Sequence, residues 1–221
     1  MHHPIEPAIL YFGTPVVLVS TRNADGSANL APMSSAWWLG WNCVLGFGAR
    51  SQTPQNLLRT GECVLNLPSV DLVSAVDRLA KTTGSDPVPP HKMAMGYRHE
   101  RDKFACAGLT PDAALDVSPP RVRECPIQLE ARLAGVHPLA AHIAADAGKL
   151  VAIEVTIVRV HVHDDVRLAG HPNRVDPDRW RPLMMSFQQF HGLGPRVHPS
   201  RLAEIDEEIY RPMSRRAQPA A

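Results

Sequence analysis

The amino-acid sequence predicts a mainly β domain with short helices, arranged as a closed or nearly closed antiparallel barrel. Six or more short runs are β-branched or alternate apolar and polar residues, and turn-forming residues separate them, with 21 prolines and 14 glycines in the chain. Few segments show helical periodicity, which argues against a βαβ array. The 221 residues are 44% hydrophobic and 20% charged, which suits one domain. We expect that domain over residues 1–195, with a C-terminal helix and flexible tail over residues 196–221.

Charge and composition exclude several classes of protein. The 23 basic side chains nearly balance the 22 acidic ones, and no basic cluster marks a nucleic-acid surface. Apolar runs such as residues 16–19 are far shorter than the roughly 20 residues that span a bilayer, and the N-terminus lacks a signal-peptide pattern. The four cysteines lack metal spacing and are predicted to be buried, reduced thiols. We therefore expect a cytoplasmic protein with no nucleic acid, membrane or metal partner.

The first strands follow from local patterns. Residues 15–21 form a compact β-branched run, and residues 23–26 supply the Asp-Gly pair that is favoured in hairpin turns. A return strand is expected through residues 29–37. Residues 38–48 are apolar and contain glycines, which predicts a buried strand with close backbone approaches. Glu62–Leu67 is predicted to be a further short strand.

The second half of the chain mixes strand and helix patterns. Residues 71–80 have helical spacing of apolar side chains, which predicts a packing helix. Residues 127–133 alternate with a period of two, as a half-buried antiparallel strand does. In residues 151–163 the apolar phase switches near Ile157, which predicts a β-bulge. Residues 138–147 are rich in alanine and are followed by glycine, so they are predicted to form a helix.

Residues 47–61 are the most informative window for chemistry. Thr53 is a candidate N-cap, Pro54 suits the first helical position, and Gly61 is a typical C-terminal stop. Free N–H groups and the positive end of the helix dipole make such a start an anion site. An ordinary capped helix is the alternative, and composition alone favours it. Side chains that would add charge and donors around a phosphate are Arg50, Ser51, Thr53 and Asn56.

Two longer segments carry a resemblance to a known family. The first, residues 17–35, contains Asn29-Leu-Ala-Pro-Met-Ser34. The second joins Arg50-Ser-x-Thr-x-x-Asn56 to Thr60-Gly-Glu-Cys-Val-Leu-Asn66. Together they resemble the flavin reductase-like family of the FMN-binding split barrel, with weaker similarity at residues 102–109 and 175–183. The resemblance covers about residues 9–193 and implies a Greek-key-like antiparallel split β-barrel.

The resemblance also implies the cofactor and its site. Side chains and N–H groups at residues 50–56 would hold the phosphate of FMN, the backbone at residues 33–36 would face the isoalloxazine ring, and residues 47–49 would lie beside the ribityl chain. No catalytic side chain is expected, because hydride transfer needs alignment of two rings. The expected contacts are Met33, Ser34, Ser35, Ala36, Phe47, Gly48, Ala49, Arg50, Ser51, Gln52, Thr53 and Asn56.

The implied function is that of an FMN-dependent flavin reductase-like oxidoreductase. It would take hydride from NAD(P)H onto flavin N5 and pass electrons to a flavin or small-molecule acceptor, as a homodimer. The sequence contains no hydrolase, P-loop or Rossmann motif that contradicts this. Three alternatives stay open: an FMN-binding electron carrier or sensor without nicotinamide activity, a pyridoxamine phosphate oxidase-like enzyme, and a barrel that has lost its cofactor.

The sequence departs from the family pattern near its C-terminus. Residues 182–192 replace the Gly-Gly-x-x-Tyr-like element of the reductases, so the substrate is open. Phe187, Phe190 and His191 are candidates for an altered substrate wall, whereas Met184, Phe187 and Phe190 are also spaced like the buried stripe of a helix. A final helix is expected over residues 200–210.

Three further features have open interpretations. Lys103 follows the family-like Asp-Lys-Phe pattern and would either approach flavin or substrate or be solvated. His161 and His163 are predicted to share an exposed strand face, in preference to a metal site. The proline-rich residues 85–101 are predicted to be a long loop, either a functional flap or disordered.

Overall fold

A computed structural model describes residues 1–212 and Arg215. Within these residues a seven-stranded antiparallel sheet has the order β3-β2-β6-β11-β12-β5-β4. A smaller sheet joins β1, β13 and β14, and two strand pairs lie outside both. The strands are β1 Thr14–Pro15, β2 Val17–Arg22, β3 Ala28–Met33, β4 Ala36–Leu39, β5 Asn42–Gly48, β6 Glu62–Leu67, β7 Thr82–Thr83, β8 Arg98–His99, β9 Pro111–Asp112, β10 Arg121–Val122, β11 Ile127–Leu139, β12 Leu150–Val162, β13 Leu183–Ser186 and β14 Gln189–Gly192.

Helices are few and short, so the predicted mainly β class is confirmed. Within residues 1–212, four short 3-10 turns add to the helical residues, at Val70–Leu72, Asp164–Val166, Arg201–Glu204 and Glu207–Tyr210. In the described part of the chain no helix is long and apolar enough to span a membrane. The α-helices are α1 Gln52–Thr60, α2 Val73–Leu79, α3 Pro90–Ala94 and α4 Lys103–Ala107.

The first hairpin forms as predicted, but its return strand is interrupted. Gly26 takes a φ of 81° in the turn, which glycine adopts without strain. Strand β3 then ends at Met33, and β4 begins at Ala36 on the opposite edge of the large sheet. Between them Ser35 O accepts a hydrogen bond from Gly46 N at 2.7 Å. The chain therefore passes from one sheet edge to the other at residues 34–35, where the barrel is split.

Helix α1 starts at Gln52, two residues earlier than the predicted start at Pro54. Ser51, not Thr53, is the N-cap, with extended φ and ψ of −74° and 155°. Pro54 is then the third helical residue, still in the turn whose N–H groups lack helical acceptors. Because Pro54 has no N–H, it cannot donate to Arg50 O. Gln55 Nε2 donates to that oxygen instead, at 3.2 Å. Gly61 ends the helix as predicted, with a φ of 72°.

Strands β11 and β12 form one long hairpin, and the predicted helix over residues 138–147 is wrong. Pairing continues to Leu139 opposite Leu150, and residues 140–149 form turns. Pro138 is tolerated in β11 because the strand has left its other neighbour, β6, at Arg132 and one edge is free. The predicted bulge near Ile157 is confirmed, because Glu130 pairs with Arg159 while Ala131 pairs with Ile157.

The C-terminal helix predictions are also wrong. Two 3-10 turns, Arg201–Glu204 and Glu207–Tyr210, replace the helix expected over residues 200–210. Met184, Phe187 and Phe190 belong to the β13–β14 hairpin and are not a helical stripe. The hairpin turn places Phe187 and Gln188 at positive φ, and neither residue has the freedom of glycine there. Of the predicted flexible tail, only residues up to 212 and Arg215 lie among the described residues.

Two apolar clusters form the core. One fills the barrel between the strands of the large sheet, and the other packs α2 and α4 against β2 and β3. The predicted helix over residues 71–80 is confirmed as a 3-10 turn that continues into α2, with Val76 and Leu79 buried. Cys43, Cys63 and Cys125 are buried free thiols as predicted, whereas Cys106 is a free thiol that is only partly buried. Burial raises the pKa of Cys43 to about 12, so its thiol is unreactive near neutral pH.

A buried carboxylate fixes a surface loop to the barrel. Glu130 is fully buried and accepts from the N–H groups of Leu115 and Asp116 at 2.9 and 2.6 Å. Burial alone would raise the pKa of Glu130, but these bonds and His161 together lower it. The His161 side chain is only 20% exposed, and its Nε2 lies 2.6 Å from Oε1 of Glu130. The predicted exposed strand face is therefore wrong for His161, and His163 is exposed but lies one residue beyond β12.

Candidate functional site

The N-terminus of α1 opens onto a cavity of about 220 Å³. Strand β3 and Phe47 of β5 form one side, and the chain from the end of α2 to the start of α4 forms the other. Five of the twelve predicted contacts line this cavity: Met33, Phe47, Ser51, Gln52 and Thr53.

The start of α1 offers hydrogen-bond donors that the protein itself does not use. Ser51 N donates to Gly48 O at 2.9 Å, but the Ser51 hydroxyl makes no capping bond to the helix. The N–H groups of Gln52 and Thr53 lie in the first turn, where no helical acceptor exists. These groups lie at the positive end of the helix dipole and therefore favour an anion.

Asn56, a predicted contact, instead holds α1 to the first hairpin. Its Nδ2 donates to Thr21 Oγ1 at 3.1 Å and to Asn23 Oδ1 at 2.8 Å. Its Oδ1 accepts from Gln52 Nε2 at 2.9 Å. Asn56 is 1% exposed and lies behind the cavity wall. Because its amide is bonded at both ends, Asn56 positions α1 against the hairpin, and its predicted contact with the cofactor stays a prediction.

Asn29 connects this scaffold to the cavity. Its Nδ2 donates to Thr21 Oγ1 at 3.2 Å and to Thr53 Oγ1 at 3.1 Å, which leaves the Thr53 hydroxyl proton free to donate. Gly84 lies close to Asn29 and Gln52. A Cβ at Gly84 would come within 2.8 Å of Asn29 Oδ1 and 3.0 Å of Gln52 Cγ. Only glycine therefore lets the segment after β7 approach α1 this closely.

Two lysines bring positive charge to the same cavity. Lys103, the first residue of α4, is 3% exposed, and burial followed by the charge of Lys92 lowers its pKa to about 8. Burial also lowers the pKa of Lys92, whose Nζ lies 3.5 Å from Thr83 Oγ1. Within the described residues neither ammonium forms an ion pair, and no carboxylate lines the cavity. A buried, unpaired cation is costly, so this arrangement fits an anionic ligand.

The other predicted contacts lie outside the cavity lining. The Arg50 side chain is exposed, and Ala36 is buried in the barrel core. Ala49 N donates to Lys149 O at 2.9 Å, so this N–H is already bonded. The predicted contact with a cofactor stays a prediction for the five lining residues and equally for those outside the lining: Ser34, Ser35, Ala36, Gly48, Ala49 and Arg50.

Sequence reasoning missed most of the opposite wall. Lys103 was left open between a ligand contact and a solvated side chain, and its burial contradicts the solvated alternative. Residues 85–101 are not a structureless loop, because they contain α3 and β8. The signal that could have found Asn29 is its place in the Asn-x-Ala-Pro pattern, whereas the others have no local signal. The lining residues outside the predicted set are Asn29, Ala31, Pro32, Leu79, Ala80, Thr82, Thr83, Gly84, Lys92, Tyr97 and Lys103.

Comparisons with known proteins agree with this architecture. The family model described as flavin reductase like domain matches residues 9–194. The uncharacterized protein YdfE of Bacillus subtilis (strain 168) is 37% identical over 193 residues, which are 87% of this chain and 90% of that protein.

Solved structures share the fold at low identity. Flavoredoxin of Desulfovibrio vulgaris (Miyazaki F) is 19% identical with a TM-score of 0.72, over 93% of this chain and 100% of that one. A proposed flavin reductase with a split barrel domain from Shewanella frigidimarina NCIMB 400 is 18% identical with a TM-score of 0.67, over 85% and 86%. These matches confirm the split-barrel fold that the sequence predicts. Because the family model also spans most of the sequence, the chain belongs to the flavin reductase-like family.

Proposed function

We propose that the protein is an FMN-dependent oxidoreductase that takes hydride from NADH or NADPH onto flavin N5 and passes electrons to a flavin or small-molecule acceptor. Family membership supports a flavin and an oxidoreductase activity. The observation that carries the choice of FMN is the cavity at α1, where the buried Lys103 ammonium has no ion-pair partner in contact among the described residues and only the more distant Glu100 carboxylate acts on it.

The donors at this cavity match a phosphate monoester. The Ser51 hydroxyl and the N–H groups of Gln52 and Thr53 face it from α1, and the ammonium groups of Lys92 and Lys103 face it from the opposite wall. A phosphate monoester with a second pKa of about 6 is a dianion at neutral pH, and two ammonium groups balance that charge. A cavity of about 220 Å³ suits the phosphate end of the cofactor. Arg50 stays a proposed contact at its rim.

The flavin ring would lie toward the split in the barrel. Bound FMN supplies a ring that accepts hydride reversibly, and the protein needs to align it with nicotinamide and exclude water. Met33 and Phe47 line the cavity on this side, so the adjacent backbone at residues 34–36 and 48–49 stays our proposed contact with the ring and ribityl chain. No acid or base from the chain is required.

We further propose a homodimer in the cytoplasm. Trp37 and Leu39 on edge strand β4 are 55% and 74% exposed, and a second copy of the chain would cover this apolar edge. Four free cysteines suit a reducing compartment, and the cytoplasm also holds the reduced nicotinamide that the reaction needs.

The test is to load the purified full-length chain with FMN, remove the excess, and add NADH or NADPH without oxygen. We expect the retained yellow colour to bleach with at least one nicotinamide. Colour that persists with both, but bleaches with dithionite, would replace the reductase with the electron carrier or sensor. Bleaching by pyridoxamine phosphate alone would favour the oxidase-like enzyme. A protein that retains no flavin would overturn the proposal in favour of a barrel without cofactor.

A further inference from the structure

The Lys103 side chain is buried, but its ammonium keeps contact with the cavity at α1. The residue is 3% exposed, lines this cavity, and forms no hydrogen bond or ion pair within the described residues. In that part of the chain the fully buried side-chain atoms without a hydrogen-bond partner belong to Thr14, Trp38 and Arg167. Lys103 Nζ is not among them. Because it has no partner and is not fully buried, Nζ is open to a small molecule in the cavity.

Lys103 also gives up its proton more readily than an ordinary lysine. Burial, followed by the charge of Lys92, lowers its pKa from 10.5 to about 8. Near pH 8 about half of Lys103 is therefore a neutral amine, against less than about 1% of a lysine with an unshifted pKa. Burial lowers the pKa of Lys92 less, so Lys92 stays an ammonium when Lys103 is neutral. The cavity thus holds an amine nucleophile beside a cation.

The start of α1 supplies a phosphate site opposite this amine. The Ser51 hydroxyl makes no capping bond, and the N–H groups of Gln52 and Thr53 have no helical acceptor. A phosphate there would lie between the positive end of the helix dipole and the ammonium of Lys92. All these groups line one cavity of about 220 Å³, so a reactive carbonyl joined directly to the phosphate would lie within reach of Lys103 Nζ.

We propose that Lys103 is a modification site for acyl phosphates, which bind with their phosphate at the start of α1 and transfer their acyl group to Lys103 Nζ. This acylation site rests on the phosphate site of the proposed function. An acyl phosphate joins the two groups that the cavity is suited to hold, a phosphate and an electrophilic carbonyl carbon, through a single bridging oxygen. The phosphate selects the reagent, and the neutral amine of Lys103 reacts with it.

The reaction requires only the cavity and the acyl phosphate. The lone pair of neutral Lys103 Nζ attacks the carbonyl carbon and forms a C–N bond, and the C–O bond to the phosphate breaks. The phosphate leaves with the electron pair of that bond and takes the proton that the amine loses. The products are therefore an amide on Lys103 and hydrogen phosphate. The donors at the start of α1 and the Lys92 ammonium stabilise the charge of the leaving phosphate.

Acylation at Lys103 would act on the flavin site. The amide is neutral, so acylated Lys103 can no longer balance the charge of the FMN phosphate. We expect protein acetylated at Lys103 to bind FMN about 100-fold more weakly than unmodified protein, the loss of one strong charge-assisted bond. Bound FMN would in turn occupy the phosphate site and protect Lys103 from acylation.

The experiment treats the full-length protein with millimolar acetyl phosphate at pH 8, before FMN is added, and follows each lysine by peptide mass spectrometry. The chain has four lysines, Lys81, Lys92, Lys103 and Lys149. Acetylation of Lys103 should be at least about tenfold faster than that of the exposed Lys149. Saturating inorganic phosphate or FMN should slow it. The acetyl ester of N-hydroxysuccinimide, which has the acetyl group but no phosphate, should not show the preference for Lys103.

Two serine variants separate phosphate recognition from the acidity of the lysine. Ser51→Ala should slow acetylation of Lys103 by acetyl phosphate about tenfold and leave its reaction with the ester unchanged. The matched control is Ser74→Ala, an exposed serine on α2 outside the cavity lining, which should change neither rate. The two reagents on wild-type protein keep the test decisive if a variant does not fold.

Three results would overturn the assignment. The first is acetylation of Lys103 and Lys149 by acetyl phosphate at equal rates. The second is the same preference for Lys103 with the ester, which would assign the selectivity to the amine alone. The third is equal rates in Ser51→Ala and Ser74→Ala. FMN binding and bleaching by nicotinamide are measured separately on unmodified protein, so failure here leaves the proposed reductase function intact. Protein that fails those two assays, but whose Lys103 is protected by inorganic phosphate, would lose the reductase function and keep this site.

Discussion

Two polar clusters meet at α1, and they differ in whether their hydrogen bonds are completed within the chain. In the cluster behind the cavity, Asn29 and Asn56 both donate to Thr21 Oγ1, at 3.2 and 3.1 Å. On the cavity wall, the Ser51 hydroxyl caps nothing and Lys103 has no ion-pair partner in the described structure. Hydrogen bonds between protein groups hold the strand to the helix. Buried donors without an acceptor cost free energy unless a ligand accepts from them. The comparison separates scaffold from binding surface.

The same sequence motif supplies both clusters. Ser51 and Asn56 lie five positions apart at the start of α1, and only the three-dimensional structure shows that one faces the cavity and the other faces the hairpin. A variant of each kind should therefore affect different quantities. Cavity donors should determine FMN affinity, and scaffold residues should determine the free energy of unfolding.

The largest expected effect follows from Lys103→Met. Losing a buried ammonium that contacts phosphate should weaken FMN binding by about 100-fold, the equivalent of a strong charge-assisted bond of roughly 3 kcal/mol. Without FMN the variant should be more stable by up to roughly 3 kcal/mol, since burial holds the wild-type pKa at about 8, below 10.5. Fluorescence titration and urea unfolding measure the two quantities. The exposed Lys149→Met is the control, and equal FMN affinity in both variants would remove Lys103 from the site.

Asn56→Ala should have the opposite profile. It removes three side-chain hydrogen bonds, a buried one to Thr21 and part-buried ones to Asn23 and Gln52, and should lower the free energy of unfolding by about 3 kcal/mol. Urea denaturation checks this, with the neighbouring exposed Gln55→Ala as a control that should lose less than about 1 kcal/mol. If Asn56→Ala were as stable as wild type but unable to bind FMN, Asn56 would be a contact after all.

The pH dependence gives a third distinction. FMN affinity should rise as the phosphate loses its second proton near pH 6 and fall as Lys103 deprotonates above pH 8. The lowered pKa means that the unfolded chain binds more protons between pH 8 and 10.5, so the cofactor-free protein should gain stability across that window. Both alkaline effects should become smaller in Lys103→Met, where only Lys92 keeps a lowered pKa beside the cavity. An unchanged alkaline loss of FMN in that variant would assign it to another group.

The smallest effects compare two neighbouring hydroxyls. Ser51→Ala should weaken FMN binding about tenfold, roughly 1.5 kcal/mol, without loss of stability, because this hydroxyl makes no capping bond. Thr53→Ala should weaken binding similarly and also lower stability by about 1 kcal/mol, because Thr53 Oγ1 accepts from Asn29. Thermal unfolding and FMN titration of both variants check this. Equal stability losses would contradict the separation of scaffold from binding surface.

Local sequence patterns predicted elements whose cause is local. The Asp-Gly turn specified the first hairpin, Gly61 specified the end of α1, and the phase switch near Ile157 specified the bulge. The helix predicted from the alanine-rich residues 138–147 is wrong, because pairing of β11 with β12 outweighs helix propensity. The apolar spacing of residues 200–210 also predicted an α-helix, but two 3-10 turns form there.

Only one side of the candidate site could be predicted from the sequence, because only that side is formed by a continuous segment. The α1 side of the cavity is continuous in sequence, so its residues could be named together. The opposite wall brings Gly84, Lys92 and Lys103 from three separate segments, and their proximity depends on how α2 and α4 pack on the barrel. No sequence pattern distinguishes a buried lysine that faces a cavity from a solvated one.

The most direct test of the central claim is to compare FMN with riboflavin, which has the same ring and ribityl chain but no phosphate. Equilibrium titrations of wild-type protein and Lys103→Met give four dissociation constants. Wild type should prefer FMN by at least about 100-fold, and Lys103→Met should lose most of this preference without weaker riboflavin binding. Equal affinity of wild type for FMN and riboflavin would contradict a phosphate site at α1.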